Sequence, residues 1–399
     1  MTAFDIVVVG TGPAGLAAAA AFAAGGARVA LVGAVPTPSA APDTRTAALF
    51  TGSMALLRHL GAMPLLIPEI TPLKGIRIID DGDHLLRAPE VTFEASEIGL
   101  ADFGANVPQM PLTAALSKAV RDSTSVARFE ANVTALDAMA DAIRVRLETG
   151  ETLDAKLVAA ADGRDSFCRK AAGIAVETWE YPQVAIAAQF SHTRSHHGIS
   201  TEFHRPAGPC TVVPMPGLRS SLVWVERPAI AQRLAKLDDT AFARSLEARL
   251  HGLLGTLTDM GPRRLFPLAC LKAHSLGQNR VALIGDAAHT MPPIGAQGLN
   301  LGFRDVATLA DLVADAMHNG GDIGGTDLLA SYSNARRLDV GMRMSAVDLL
   351  NRSLIADMLP ADLARGLGMH AIASFGALKR QVMRAGFEPV GTMPRLMRA

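Results

Sequence analysis

Arg280–Asp305 reads RVALIGDAAHTMPPIGAQGLNLGFRD, and the rest of the chain falls into place around it. The apolar run Val281-Ala282-Leu283-Ile284 has the length and character of a buried strand. Gly285 frees the backbone where that strand ends, and Asp286 places a carboxylate beside it. Pro292, Pro293 and Gly295 follow, and neither proline suits the interior of a central strand or helix. From Gly298-Leu299-Asn300 onward a helical pattern begins, with Leu299, Phe303, Val306, Ala307 and Ala310 on one face. The order is therefore strand, carboxylate, rigid loop, helix start. A helix start offers unpaired N–H groups and partial positive charge, which suits an anionic or electron-accepting ligand. An ordinary strand-turn-helix corner has the same spacing.

A second glycine corner lies at the N-terminus. Phe4–Val9 is a buried-strand pattern running into Gly10-Thr11-Gly12-Pro13-Ala14-Gly15 and an Ala-rich helix to about Ala24. Here GxGxxG stands between strand and helix. The first glycine makes the turn, the second admits a pyrophosphate, and the third lets the helix pack on the strand. The pyrophosphate would rest at the helix start. The next strand, Arg28–Val32, ends in Gly33 rather than the ribose-binding acid usual about 20 residues after the glycines. No carboxylate follows before Asp43.

Together these residues resemble a known family. GDAAHxxxPxxxQGxNxGxxD is similar to the second FAD signature of the class A flavoprotein monooxygenases, which share the para-hydroxybenzoate hydroxylase fold. Leu157–Ala161 followed by Asp162-Gly163, Ser166 and Arg169 matches that family's ADGxxSxxR motif. The resemblance implies an α/β chain: a Rossmann-like FAD-binding domain, an inserted mixed β-sheet substrate domain and a helical C-terminus. The expected divisions are 1–74, 102–176 and 266–345 for FAD; 75–101 and 177–265 for substrate; and 346–399 for the helical end. It places Gly10, Gly12, Pro13, Ala14, Gly15, Arg45, Gln109, Val133, Asp162, Gly285, Asp286, Gly298, Leu299 and Asn300 at the cofactor. Asp286 would contact the ribitol, and the helix start at Leu299 and Asn300 would face the isoalloxazine ring. Physically, Asp162 also serves as a turn residue, and Ser166 can cap the helix after it. The family usually has glycine immediately before the glutamine; here Ala296 stands there, with Gly295 one place earlier.

Between the motifs, Asp43-Thr44-Arg45 is expected to open a helix carrying Leu49, Met54, Leu57 and Leu60. Gly75–Arg87 suggests a hairpin, with Ile76, Ile78 and Leu85 around a turn at Asp80–Asp83, and Val107–Leu116 leads into a helix to about Val120. From Glu177 to Phe266 short alternating strands dominate, with two helical patches at Ile230–Leu237 and Thr240–Leu253. His192, His196 and His197 lack further ligands at metal spacing and are expected in a surface loop. His289 is expected to make an orienting hydrogen bond. Asp327–Asp357 reads as a long helix. Beyond it Ala371, Phe375, Leu378 and Val382 share a helical face, and residues 360–399 hold six Lys/Arg against two Asp/Glu. That pattern fits a helix packed on its own domain with a solvated basic side. It is also compatible with contact to an anionic membrane.

Bulk properties bound the function. Lys plus Arg equals Asp plus Glu, 38 each, which leaves no electrostatic footprint for nucleic acid. Three separated cysteines suggest neither a disulfide framework nor a metal site. A reducing cytoplasm fits, with a peripheral place at the inner membrane as the extension; no signal peptide or transmembrane span is read. The family resemblance implies FAD, NAD(P)H or another reductant as electron donor, molecular oxygen and an aromatic substrate. RLFPLACLKAH, LNRSL and PRLMR point to the ubiquinone-biosynthesis branch, which hydroxylates polyprenylated phenols through a flavin hydroperoxide. The cofactor carries that chemistry, and no protein acid or base stands out. Two alternatives belong beside this reading. One is a same-fold FAD oxidoreductase that does not use oxygen, like a geranylgeranyl reductase; the other is a non-catalytic assembly partner.

Overall fold

The computed structural model describes residues 2–34, 43–82, 87–355, 359–388 and 390–398. Ile6–Val9, Val29–Val32, Val126–Phe129, Leu157–Ala160 and Val281–Leu283 form a parallel sheet, extended at one edge by the antiparallel pair partner Gly277–Gln278. Taken in chain order, the parallel strands lie third, second, first, fourth, fifth across the sheet. All four residues are buried in each of Ile6–Val9, Val29–Val32 and Leu157–Ala160, as strands covered on both faces require. Pro13–Ala24 covers one face, and Gly15 through Phe22 are buried along it. It packs against the helices Gln109–Asp122 and Gln297–His318. Strand order reverses between Ile6–Val9 and Leu157–Ala160, and the crevice outside their carboxyl ends is where open α/β sheets take ligands.

A mixed sheet stands beside this unit. Its order is His289–Thr290, Arg264–Ala273, Val176–His192, Arg219–Glu226, Cys210–Met215, Ile199–His204, Gly75–Asp80, Val91–Glu94. The strand expected at Gly75 is present as Gly75–Asp80, but it pairs with Val91–Glu94, beyond the expected hairpin's end at Arg87; residues 83–86 of that hairpin, Leu85 among them, lie outside the described residues. One face buries Ile186, Phe190, Phe203, Leu222 and Trp224 with Phe242 and Leu246 of the helix Asp239–Arg249. The other, inner face carries Ala185, Val223, Val225, Phe266 and Leu268 toward Met291, Leu301, Val340 and Met344.

Three other sequence expectations need correction. The segment after Arg45 is not one helix: Thr46–Phe50 is a strand paired with Gly104–Pro108, and the helix is Thr51–His59. Cross-strand pairing outweighs the 3.6-residue pattern there, so Leu49 belongs to the strand. His192 is no loop residue. It ends the strand Val176–His192, is 3% exposed and lies 3.0 Å from the Ser220 hydroxyl through Nε2. Strand propensity carries through it, and only His197 is fully exposed.

The third correction concerns the C-terminus, where Thr326–Ile355, Leu359–Ser374 and Gly376–Phe387 are helices. The face expected to pack is the exposed one: Phe375, Leu378 and Val382 are 65%, 38% and 39% exposed. Met383 packs instead, together with Phe387, against Leu73, Phe93 and Phe103. Phe387 stacks on Phe103 at 4.2 Å, and that aromatic anchor sets the helix's rotation. Among the described residues no helix is long and apolar enough to cross a membrane.

Candidate active site

The crevice is made by close backbone approach. A Cβ on Gly10 would lie 2.2 Å from the Ala161 carbonyl oxygen, and one on Gly15 would lie 1.9 Å from that of Gly10. Only glycine permits either contact. A Cβ on Gly12 or Gly298 would meet nothing within 4 Å, so both face open space at helix starts that no side chain caps. Pro13 is the first residue of its helix, where its missing N–H costs nothing. Ala14 approaches Gly285, and Gly285 in turn approaches Gly302: their nearest distances, taken from a Cβ built on Gly285, are 3.6 and 3.7 Å. The two glycine corners, some 270 residues apart in sequence, are therefore in contact.

Asp286 follows Gly285 into this crevice. It is open to solvent, yet protein surrounds it closely enough that burial raises its carboxyl, against the pull of His289, Arg45 and Arg164. Among the described residues no hydrogen-bond donor reaches its carboxylate. Arg45 reaches the same region: it is paired with Asp43 at 2.7 Å, sits 5.8 Å over the Phe266 ring and feels the charge of Asp286. Gln109 is tied to it, its N–H donating to the Arg45 carbonyl at 3.0 Å. The arrangement offers two uncapped helix starts, an unpartnered carboxylate, a guanidinium and glycine-lined space. That donor and acceptor set fits a dinucleotide carrying a pyrophosphate and a polyol chain.

A family model described as FAD binding domain matches residues 3–347. The chain belongs to this FAD-binding family. It is 37% identical to the ubiquinone hydroxylase UbiL of Rhodospirillum rubrum, over 99% of this chain and 92% of that protein. It is 30% identical to the 3-demethoxyubiquinol 3-hydroxylase of Escherichia coli, over 95% and 97%. The fold is similar to that of p-nitrophenol 4-monooxygenase PnpA from Pseudomonas putida: the TM-score is 0.76 at 21% identity, covering 98% of this chain and 100% of that one.

Several residues of this FAD-binding protein have their side chains engaged within the protein. Asn300 Oδ1 accepts from the Phe50 N–H at 2.9 Å and the Ser53 hydroxyl at 2.7 Å. Its Nδ2 donates to the Ala48 and Ala296 carbonyls at 2.8 and 2.7 Å. That exhausts the amide's usual bonding and leaves only backbone for a ligand. Asp162 accepts from the Ser166 hydroxyl at 2.5 Å and the Cys168 N–H at 3.0 Å, the turn role that its position suggests. Val133 is 9% exposed within the core, and Leu299 is partly buried against it. At Gly33 a Cβ would come within 3.1 Å of the Thr11 methyl, and the Thr11 hydroxyl donates to the Ala34 carbonyl at 2.7 Å. Thr11 thus packs closely on the backbone at Gly33, where the usual acid is missing.

Sequence reasoning missed what holds the loop from behind. Asp305 is fully buried and accepts from the Gly285 N–H at 3.0 Å, His289 Nε2 at 2.7 Å and Arg336 Nε at 2.7 Å. The expected orienting bond of His289 is this one. Arg336 also pairs with Asp339 at 2.8 Å, and Asp339 pairs with Arg343 at 2.9 Å and Arg304 at 3.2 Å. Arg343 Nη1 donates to Gln297 Oε1 at 2.7 Å and to the Gly386 carbonyl at 2.8 Å, while Arg304 Nη2 donates to the Phe387 carbonyl at 2.9 Å. Three arginines meet two aspartates, and the surplus positive charge faces the carbonyl end of Gly376–Phe387, where a helix favours cations. The RRxD spacing of Arg336–Asp339, charged within an apolar helix pattern, was the available signal.

Proposed function

We propose that the chain is an FAD-dependent monooxygenase that hydroxylates an electron-rich aromatic ring, a polyprenylated phenol of ubiquinone biosynthesis. The observation that carries this reading is the unpartnered Asp286 in a cleft shared with Arg45, Gly12 and Gly298, in a chain that aligns almost end to end with ubiquinone hydroxylase UbiL. The segments 1–74, 102–176 and 266–345 serve the cofactor, 75–101 and 177–265 the substrate, and 346–399 the helical end.

Bound FAD supplies oxygen activation, with NAD(P)H or another reductant as donor. The chain's part is to bind, orient and exclude water. Gly10, Gly12, Pro13, Ala14 and Gly15 receive the pyrophosphate at the helix start. Asp286 accepts from the ribitol hydroxyls, Arg45 and Gln109 lie along the phosphate side, and Asp162 and Val133 stand near the adenosine through backbone. Gly285 and Gly298 leave room for the ring, and the N–H groups at Leu299 and Asn300 stabilise negative charge on the reduced ring. The apolar inner face at Ala185, Val223, Val225 and Phe266 suits an uncharged aromatic substrate.

Exposed Leu367, Phe375, Leu378 and Val382 stand beside exposed Arg380 and Arg384. Apolar and basic groups together suit an anionic membrane surface, from which a prenylated substrate could be drawn. Sedimentation with anionic vesicles, but not neutral ones, is the expected outcome.

The deciding experiment is a visible spectrum of the purified protein, identification of the released cofactor, and oxygen uptake driven by NAD(P)H. Stoichiometric FAD and a prenylated phenol one oxygen heavier are expected. Flavin without oxygen consumption would favour a reductase of the same fold. A colourless protein that cannot take up FAD would leave the assembly role.

A further inference from the structure

The inner face of the mixed sheet holds a carboxylate–imidazole pair that none of the roles above uses. Directly opposed residues of antiparallel strands project from the same face. Glu202 opposes Thr211, Thr211 opposes Val223 and Val223 opposes Ala187, so all four share one face. Val223 packs, as do Phe266 and Met291, against the cluster that holds Leu301 and Val340, which identifies that face as the inner one. At about 4.8 Å between strands, Glu202 stands about 10 Å from Val223 along the same rung. His204, two residues on, lies on the same side.

The three side chains form a unit. Glu202 Oε1 is 2.6 Å from His204 Nε2, and the Thr211 hydroxyl donates to Oε2 at 3.1 Å. The Glu202 and His204 side chains are only 12% and 7% exposed. Burial pushes the Glu202 carboxyl up, but the hydrogen bond and charge of His204, with the Thr211 hydroxyl, outweigh it and hold the carboxyl below the usual range. A buried carboxylate costs free energy that some role must offset. Crosslinking is a poor candidate, because His204 is on the same strand and Thr211 is on a strand already paired by backbone. A carboxylate has about four acceptor positions, and two are filled here.

We propose that Glu202 is a catalytic residue that accepts a hydrogen bond from the substrate's ring hydroxyl and takes its proton during oxygen transfer, with His204 as its positioning residue. The inference rests on the hydroxylase reading above. As a ring carbon bonds to the incoming oxygen, the substrate's O–H bond breaks, its proton passes to Glu202, and the electron pair moves into the ring. The carbon then loses its own hydrogen as a proton, and Glu202 returns its proton to the ring oxygen. Molecular oxygen is the oxidant, its second atom leaves as water, and the reduced nicotinamide nucleotide supplies the electrons.

The test compares a short-tailed prenylated phenol with its O-methyl ether on the FAD-loaded protein, by equilibrium dialysis and by product formed per oxygen consumed. Wild type should bind the phenol about tenfold or more tighter than the ether, the scale of a hydrogen bond to a charged group. Glu202→Gln, which keeps shape and FAD content, should bind the two alike and form about tenfold less product per oxygen, with peroxide in its place. His204→Leu should lose coupling similarly, and His204→Gln, which can still donate to Glu202, should recover most of it. Glu202→Gln retaining both preference and coupling overturns the inference while the hydroxylase reading stands. Wild type that binds no phenol, or consumes oxygen without hydroxylating it, overturns that reading and the inference together.

Discussion

The turn Gly10–Gly15 and the loop Gly285–Asn300 both bring a helix start to one crevice, but they are held in place by different means. The first is fixed chiefly by close backbone contact: Gly10 against Ala161, Gly15 against Gly10. Its one side-chain bond is the Thr11 hydroxyl to the Ala34 carbonyl, and its helix is buried from Gly15 to Phe22. The second contains two prolines and several exposed positions, and the bonds within it, such as Gln297 Nε2 to the Gly295 carbonyl and Asn300 Nδ2 to the Ala296 carbonyl, each tie only a few neighbouring residues. Buried charge behind it supports both ends: Asp305 holds Gly285 and His289, and Gln297 is held through Arg343. A rigid corner can be encoded in six residues. A corner that must also present a carboxylate to a ligand draws its rigidity from elsewhere in the chain.

The sharpest break of the first corner is Gly10→Ala. Its Cβ would meet backbone, which cannot yield as a side-chain tip can. We expect destabilisation of at least about 3 kcal/mol, beyond ordinary overpacking, with loss of FAD. Chemical denaturation and flavin content check it. Gly12→Ala is the internal control, because its Cβ enters open space and should cost FAD affinity without costing apoprotein stability.

The second corner should break through its distant supports. Asp305→Asn leaves Arg336 with one fewer carboxylate inside the protein, and removing one partner of a buried pair costs about 3–5 kcal/mol. The pH dependence has a definite sign. Despite burial, the charges of His289 and Arg336 hold Asp305 below the usual carboxylate range, and Arg336 and Arg304 hold Asp339 well below it. A depressed folded pKa contributes stability that is present above the unfolded value, about 3.9, and is lost as pH falls. Wild type should therefore lose stability steeply below about pH 4, and Asp305→Asn less steeply. Equal slopes would remove the network from the account.

The same contrast governs what could be read from sequence. The parallel strands and the glycine corners were legible because spacing along a few residues specifies them; the contact between the corners was not, because it joins residues some 270 apart. The strand Thr46–Phe50 was not, because its partner Gly104–Pro108 lies far along the chain and pairing decided the outcome. The exposed face of Gly376–Phe387 was misread because one aromatic, Phe387, outranks three aliphatic positions by stacking on Phe103. Asn300 stands in the first turn of the helix Gln297–His318, yet its side chain is consumed by Ala48, Phe50, Ser53 and Ala296. A motif marks where a residue stands but not which neighbour claims its amide.

Asp286 separates the two corners by function. Burial raises its carboxyl, so as a charged group it opposes folding of the apoprotein above its folded pKa. Asp286→Asn should raise the apoprotein's melting temperature at neutral pH while weakening FAD by about 10–100-fold, the scale of a lost bond to a charged group. A site that is stabilised by its own loss of function is a ligand site rather than a structural one. Isothermal titration and thermal melts measure both halves, and a variant that lost stability would assign Asp286 to the scaffold.

The smallest effect concerns Ala296, which caps the helix Gln297–His318 in a left-handed conformation, φ 55° and ψ 32°. For alanine that conformation costs about 1–2 kcal/mol relative to glycine. Glycine in the unfolded chain returns about 0.4–1 kcal/mol of that as entropy. Ala296→Gly should therefore gain up to about 1 kcal/mol. The loop should keep its path, because Asn300 Nδ2 holds the Ala296 carbonyl at 2.7 Å whichever residue stands there. FAD affinity should then stay within about twofold, since no charged or hydrogen-bonded contact is lost. If the variant instead gained stability and lost FAD, the methyl group would be what keeps the left-handed cap from relaxing. The loop would then owe part of its rigidity to a local strain, and its dependence on the buried charges behind it would be only partial.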